Sequence, residues 1–245
     1  MKQHKFFATA LIAAGMSLFL YSCNGSGEAE KNAEVKADTS TAKTAEAPPP
    51  AAKLNNFLTA KFKVSSYTKW RAEYDGNDSA RLASGLSNYL IGRGIDGDSN
   101  TILVAMIMAD AGKAKAMTAS PTLKDRLQKA GVLGAPAFHF VESVWADSST
   151  NASTVRMIVM HKVKDWNAWK KEFDSHKQTR MDAGLTDRVV GHEFGDSHTA
   201  IAAFAVTDLA KAKAFVVSKD LKDKMAAAGV EGPPTMFFYN VVKRY

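Results

Sequence analysis

The residues of this 245-residue chain that could do chemistry lie mainly in its second half. Ser197 and His198 are adjacent, and such a pair could act as a nucleophile and its base. Adjacent residues at a hairpin tip rarely place a base correctly, and no strand-to-helix elbow follows Ser197. Because glycine, aspartate and serine are typical turn residues, we predict that Gly195-Asp196-Ser197 is a hairpin turn. We identify no catalytic residue.

Histidines in the same half suggest a metal site. Four of them lie within 38 residues of one another: His161, His176, His192 and His198. An internal repeat of the chain places a different set at the equivalent positions: Phe62, Asn77, Arg93 and Asn100. Because that set preserves no ligands, we predict that the chain holds no metal. We expect His161 to face the core with a hydrogen-bond partner.

The single cysteine, Cys23, follows a basic start and an apolar segment over residues 6–20. The segment is too short to span a bilayer, as in a secretory signal. Leu20-Tyr21-Ser22-Cys23 resembles the bacterial lipobox, whose cysteine is acylated. The resemblance implies a lipoprotein signal peptide over residues 1–23. It also implies a protein attached to the bilayer of the bacterial cell envelope, in the outer membrane, through acylated Cys23.

Residues 24–55 predict a disordered tether, because they contain no aromatic residue and little branched apolar surface. The chain has a formal net charge of +7. This charge favours small anionic ligands or a negative surface. The basic residues are scattered and form no nucleic-acid motif, so we expect no nucleic-acid partner.

The folded part repeats itself. Lys63-Val64 aligns with Lys162-Val163, and the match continues to Pro136 and Pro234. Identical pairs are Trp70 and Trp169, Asp75 and Asp174, Arg81 and Arg180, Gly92 and Gly191, and Asp110 and Asp208. We predict two modules, residues 56–146 and 154–245, joined by a short connector.

Each copy has the order strand, helix, strand, strand, helix, strand, which is the ferredoxin-like βαββαβ plan. The strands predicted in the first copy are Phe57–Val64, Ser87–Ile95, Thr101–Met108 and Ala137–Val141. Those predicted in the second copy are Val155–Val163, Asp187–Phe194, Thr199–Val206 and Thr235–Tyr239. The fold class is therefore α+β.

A sheet with helices on one face leaves its other apolar face to be covered, and a second copy can cover it. The element order and the repeat resemble the dimeric α/β-barrel superfamily, which includes the antibiotic-biosynthesis monooxygenase-like proteins. The resemblance implies that the two modules pair sheet to sheet as an internal pseudo-dimer. A monomer is then the expected state. No residue set matches a catalytic pattern of those enzymes.

Several paired residues have structural explanations. The tryptophans at helical spacing should pack on the sheet. Asp110 and Asp208 should cap helices. Arg81 and Arg180 should interact with a helix end, with Asp75 and Asp174 as candidate salt-bridge partners.

The inner faces of the two sheets are the remaining candidate site. If Leu58 and Ala60 face the helices, then Thr59, Lys61 and Lys63 face the barrel interior, as do Ile158, Met160 and Lys162. Polar groups near an apolar lumen would suit a small anionic or aromatic ligand. The predicted ligand-binding residues are His139, Arg93, His192, Lys63 and Lys162.

Two hypotheses of function follow. The first is a non-enzymatic lipoprotein module that binds a small molecule or a partner. The alternative, raised by the resemblance, is a monooxygenase-like enzyme that acts on a small aromatic substrate. In either case we expect no bound cofactor.

Overall fold

The computed structural model describes residues 54–147, 149 and 151–245. The strands in this part are β1 Asn56–Val64, β2 Leu86–Gly94, β3 Thr101–Met108, β4 Val132–Ala146, β5 Val155–Val163, β6 Leu185–Glu193, β7 Asp196–Val206 and β8 Val230–Arg244. The helices are α1 Tyr67–Asp75, α2 Asp78–Ala83, α3 Ala111–Thr118, α4 Pro121–Lys129, α5 Trp166–Ser175, α6 Lys177–Asp182, α7 Leu209–Val216 and α8 Lys219–Ala227.

The eight strands close into one antiparallel barrel in the order β1-β3-β2-β8-β5-β7-β6-β4. Strands β1–β4 form one ferredoxin-like sheet and β5–β8 form the other. The sheets join edge to edge at two seams, β2 with β8 and β4 with β6. The predicted α+β pseudo-dimer within one chain is confirmed. Closure also removes the unpaired sheet edges that two separate sheets would expose.

Strands β4 and β8 are much longer than the predicted Ala137–Val141 and Thr235–Tyr239. The first half of β4 pairs with β1 and its second half pairs with β6, so one strand serves both modules. Strand β8 likewise pairs first with β5 and then with β2. The register shifts between Lys61 and Lys63, opposite the segment that holds Pro136. This irregularity accommodates Pro136, which has no backbone N–H to donate to the hydrogen bonds between β4 and β1.

The close approach of strands at the seams explains why both copies of the repeat have glycine at the equivalent positions Gly92 and Gly191. A methyl group at Gly191 would overlap the backbone carbonyl of Glu142 on β4. A methyl group at the equivalent Gly92 would overlap the ring of Tyr239 on β8. Glycine at both positions therefore lets the strands of the two modules approach closely enough to pair.

Helices α3 and α7 begin where the sequence predicts. Asp110 and Asp208 cap α3 and α7 by accepting hydrogen bonds from the backbone N–H groups of Lys113 and Lys211, and Asp165 caps α5 in the same way. Such caps satisfy N–H groups that have no partner within the helix.

The strands have one face towards the helices and one towards the barrel interior. Leu58, Ala60 and Phe62 pack with Trp70 beneath the helices of module 1, and Trp169 is buried in the same way in module 2. The interior is filled by a second cluster that includes Phe57, Leu103, Ile158, Met160, Ile201 and Phe237. The predicted alternation along β1 and β5 is confirmed.

The predicted signal peptide, Cys23 and the tether up to residue 53 lie outside the described residues. Within the described residues, no helix is long and apolar enough to cross a bilayer.

Candidate functional site

The predicted lumen residues do not meet in one pocket. Arg93 and His192 lie on the helix side of their strands, so their predicted lumen placement was wrong. The guanidinium of Arg93 lies 4.2 Å from the ring centroid of Tyr67, and the ring of His192 packs edge-on against Trp166 at 4.9 Å. The bulges between Asn88 and Leu90 in β2, and at the equivalent place in β6, change the alternation of the second strands.

The two lysines lie at one rim of the barrel. The Nζ of Lys63 is 3.9 Å from Oδ1 of Asp98, and the Nζ of Lys162 is 3.1 Å from Oδ2 of Asp196. Both lysine side chains are about 60% exposed, so these ion pairs contribute little to stability.

His139 is half-buried on β4, and its Nδ1 lies 3.1 Å from Oε2 of Glu193. The other carboxylate oxygen of Glu193 accepts from the N–H of Phe140 at 2.8 Å. The glutamate therefore joins the ring of His139 to the backbone of the same strand. Ligand binding by His139, Arg93, His192, Lys63 and Lys162 stays a prediction.

The remaining candidates of the sequence are structural. The chain turns at Gly195, whose φ is +82°, and Asp196 accepts from the N–H of His198 at 2.9 Å. Hydrogen bonds from Thr199, from this N–H and from Lys162 lower the pKa of Asp196 to about 2. The turn itself is Phe194-Gly195, so the predicted turn Gly195-Asp196-Ser197 lay one residue too late, and Asp196 and Ser197 begin β7.

Arg81 and Arg180 are buried beneath the helices, but the predicted partners Asp75 and Asp174 were wrong. Arg81 donates to Asp78 at 3.1 Å, and Arg180 forms two hydrogen bonds with Asp187. Each guanidinium also stacks on an aromatic ring of the preceding helix.

His161 faces the core of module 2, as expected, but without the expected hydrogen-bond partner. Neither of its ring nitrogens makes a hydrogen bond to another described residue, and its ring packs edge-on against Trp169 at 5.4 Å. Burial lowers the pKa of this imidazole to about 4. The described residues contain no group of three or more His, Cys, Asp or Glu side chains placed to hold a metal.

A large cavity lies outside the barrel, between the sheet of module 1 and its helices. We call it the module 1 cleft. Its volume is about 640 Å³, within the range of about 300–1,000 Å³ that is usual for small-molecule sites. Its floor and walls are mainly apolar and include Ala60, Phe62, Trp70, Met106, Met117, Leu123, Leu127 and Phe138.

The equivalent space in module 2 is almost closed, with a volume of about 70 Å³. Phe204 and Phe215 occupy the positions of Met106 and Met117 and are buried in the cluster that also contains Phe173. The difference between the copies is therefore a filled core in one and an open cleft in the other. The cleft was not predicted from the sequence, although the two Met-to-Phe differences are visible in the aligned copies.

Polar groups of the cleft occupy two levels. Deep in it, the hydroxyl of Tyr74 donates to Asn88, and Arg81 donates to Asn88, Asp78 and the carbonyl of Tyr74. Burial raises the pKa of Tyr74, so its hydroxyl stays protonated. The exposed residues Lys113 and Arg126 also line the cleft. The site can therefore hold an apolar body, and its charged lining residues are the exposed Lys113 and Arg126, the buried Arg81 and one acid, Glu73.

The solved structures similar to this chain share its barrel. An anthrone oxidase-like protein matches with a TM-score of 0.52 and 11% identity over 78% of this chain and 92% of that protein. A candidate chlorite dismutase matches with a TM-score of 0.51 and 14% identity over 78% and 96%. A candidate monooxygenase from Fusobacterium nucleatum matches with a TM-score of 0.50 and 13% identity over 78% and 94%.

The fold is a dimeric α/β barrel. The similarities place this protein with monooxygenase-like and chlorite dismutase-like folds, and at these identities they establish the fold alone. No protein-family model matches the chain. No curated protein matches it in sequence.

Proposed function

We propose that this protein is a lipid-anchored protein of the bacterial envelope that binds a small apolar or aromatic molecule with an acidic group. The module 1 cleft is the proposed site. The observation that carries the proposal is the difference in volume between this cleft, about 640 Å³, and its filled counterpart, about 70 Å³. Two copies of one module have diverged at the residues that decide whether the space is open.

The chemistry of the cleft supports binding rather than catalysis. Its walls provide apolar contact, and Lys113 and Arg126 would attract an acidic group near its mouth. Tyr74 and Arg81 are held by hydrogen bonds to their neighbours, and the raised pKa of Tyr74 prevents it from acting as a base near neutral pH.

The membrane anchor rests on the sequence of residues 1–23. Cys23→Ser should release the protein from the membrane fraction of its host, because acylation requires the thiol. Continued membrane association of the variant would overturn the anchor and leave the cleft proposal untouched.

Anilinonaphthalene sulfonate, which is both aromatic and anionic, is a suitable probe of the cleft. We expect saturable binding to the full chain, followed by fluorescence. The double variant Met106→Phe, Met117→Phe copies module 2 and should weaken this binding at least tenfold. Met181→Phe is the matched control, since Met181 is exposed on α6 and lies outside the cleft.

Equal probe affinity in the double variant and the natural protein would overturn the cleft as the site. Native mass spectrometry of protein from its own host would identify a molecule that co-purifies. If that molecule is oxidised during aerobic incubation with the protein, the monooxygenase-like alternative replaces the binding function.

A further inference from the structure

A separate cavity of about 60 Å³ lies inside the barrel, at the end where β1 and β5 begin. Its lining includes Arg156, Arg188 and Arg244, together with Tyr89 and Tyr239. In liquid water each molecule occupies a volume of about 30 Å³. The cavity therefore has room for one small oxyanion and excludes the apolar ligand proposed for the module 1 cleft. We call it the arginine cavity.

The positive charge of the arginine cavity is poorly balanced. Arg156 is only 4% exposed, and its Nη1 donates to the carbonyl oxygens of Ser153 and Val155 at 2.6 and 2.9 Å. Within the described part of the chain, the only ion pair of the three arginines joins Arg188 to Asp147, at 2.7 Å. Two guanidiniums thus remain without a carboxylate.

Burial of the Arg156 guanidinium is costly without an anion, whereas the exposed Arg244 keeps its contact with water. A buried charge is normally paired, because removing it from water without compensation is strongly unfavourable. Burial, together with the charges of Arg244 and Arg188, lowers the pKa of Arg156. Tyr239 is 3% exposed, and its hydroxyl makes no hydrogen bond to another described residue. Burial raises its pKa, so it stays a neutral donor.

The arginines are not a requirement of the fold. The module 1 positions equivalent to Arg156, Arg188 and Arg244 hold Phe57, Tyr89 and Ala146. Module 1 thus completes its half of the barrel without any arginine at these positions, and all three cations come from module 2.

We propose that the arginine cavity binds a free small oxyanion, such as phosphate or a short carboxylate, between the guanidiniums of Arg156, Arg188 and Arg244. Arg156 supplies the buried contact. Arg244 is exposed at the end of β8 and lines the entrance. Charge-assisted hydrogen bonds from guanidinium groups are well suited to both kinds of anion.

Isothermal titration calorimetry of the full chain with inorganic phosphate, and separately with acetate, at constant ionic strength tests the site. We expect saturable binding of at least one of these anions at one site per chain. Arg156→Met should weaken that binding at least tenfold. Arg93→Met removes a guanidinium near the opposite end of the barrel and should leave the affinity unchanged.

Arg244→Met is the second variant, since an exposed side chain can be replaced without disturbing the core. It should weaken binding at least threefold even if Arg156→Met fails to fold. Absence of saturable binding to the natural protein, or unchanged affinity in a folded Arg156 or Arg244 variant, would overturn the proposal. The cleft double variant Met106→Phe, Met117→Phe should bind the anion normally, which separates this site from the proposed function.

Discussion

The Nε2 of His176 lies 2.8 Å from Oδ2 of Asp220, and this contact joins the start of α6 to α8. A second pair, Glu172 with Lys224 at 3.5 Å, joins α5 to the same helix. Module 1 has Asn77 and Thr122 at the positions of His176 and Asp220. The helices of module 2 are thus tied together across their core, whereas the equivalent side chains of module 1 both line the open cleft.

Transfer of this contact should close the module 1 cleft. In Asn77→His, Thr122→Asp, the new pair would draw α4 towards the junction of α1 and α2. We expect the affinity for anilinonaphthalene sulfonate to fall about tenfold, as measured by fluorescence titration. Asn77→His alone lacks the carboxylate and should bind almost as the natural protein does. Unchanged affinity in a folded double variant would show that the His–Asp contact does not control the opening.

His161 should make the protein less stable in mild acid. The unfolded chain takes up a proton near pH 6.5, whereas burial lowers the pKa of folded His161 to about 4. Between these values the unfolded state binds more protons, so the free energy of unfolding falls as the pH drops from about 6.5 to about 4 and then levels off. The contribution is of order 2–3 kcal/mol.

Urea unfolding at pH 7, 5 and 4 measures this effect. His161→Phe introduces the residue that module 1 has at this position. It should make the free energy of unfolding depend less on pH between about pH 6.5 and about pH 4. His198→Asn, which changes a histidine on the β7 hairpin to the residue of module 1, is the control and should retain it. A natural protein equally stable at pH 7 and pH 4 would contradict the assignment.

The buried pair of Arg180 and Asp187 should show the cost of an unpaired charge. Its hydrogen bonds measure 2.9 and 2.7 Å, and the two side chains are 5% and 8% exposed. Asp187→Ala leaves the guanidinium unpaired and should lower the free energy of unfolding by about 3–5 kcal/mol. Asp187→Asn introduces the residue that module 1 has at this position, Asn88, and should lower the free energy of unfolding by less than Asp187→Ala does. Asp174→Ala removes an exposed pair and should cost less than about 1 kcal/mol.

Gly191 should tolerate a methyl group less well than Gly92. Gly191→Ala would press on the backbone carbonyl of Glu142, which cannot move without breaking the seam. Gly92→Ala would press on the ring of the buried Tyr239, so that a side chain in the barrel interior is displaced and not the paired backbone of a seam. We expect Gly191→Ala to lower the free energy of unfolding by about 1–3 kcal/mol, and Gly92→Ala by less, in urea unfolding.

Gly76→Ala is the control for these seam variants, because an added methyl group there would make only ordinary contacts of 3.5 Å and longer. Equal destabilisation by Gly76→Ala and Gly191→Ala would contradict a specific role of the seam.

The repeat made much of the fold predictable. Identical residues such as Trp70 and Trp169, or Asp110 and Asp208, report packing and capping, which depend on local spacing. The alternation along β1 was correct because that strand lies between two neighbours of its own module. Strands β4 and β8 extend beyond their predicted bounds at both ends. Their second halves pair with the other module, and no local pattern records a partner about 50 residues away in sequence for β4 or about 150 residues away for β8.

The sequence by itself determined that the chain contains two ferredoxin-like modules, since periodicity, caps and turns are local properties repeated twice. Only the tertiary structure decided which differences between the copies matter. Met106 and Phe204 are both ordinary core residues in a sequence, and Arg156 is one scattered cation among many. The role of each residue depends on the volume of the space around it and on the charges within that space. Contacts between elements distant in sequence set both properties.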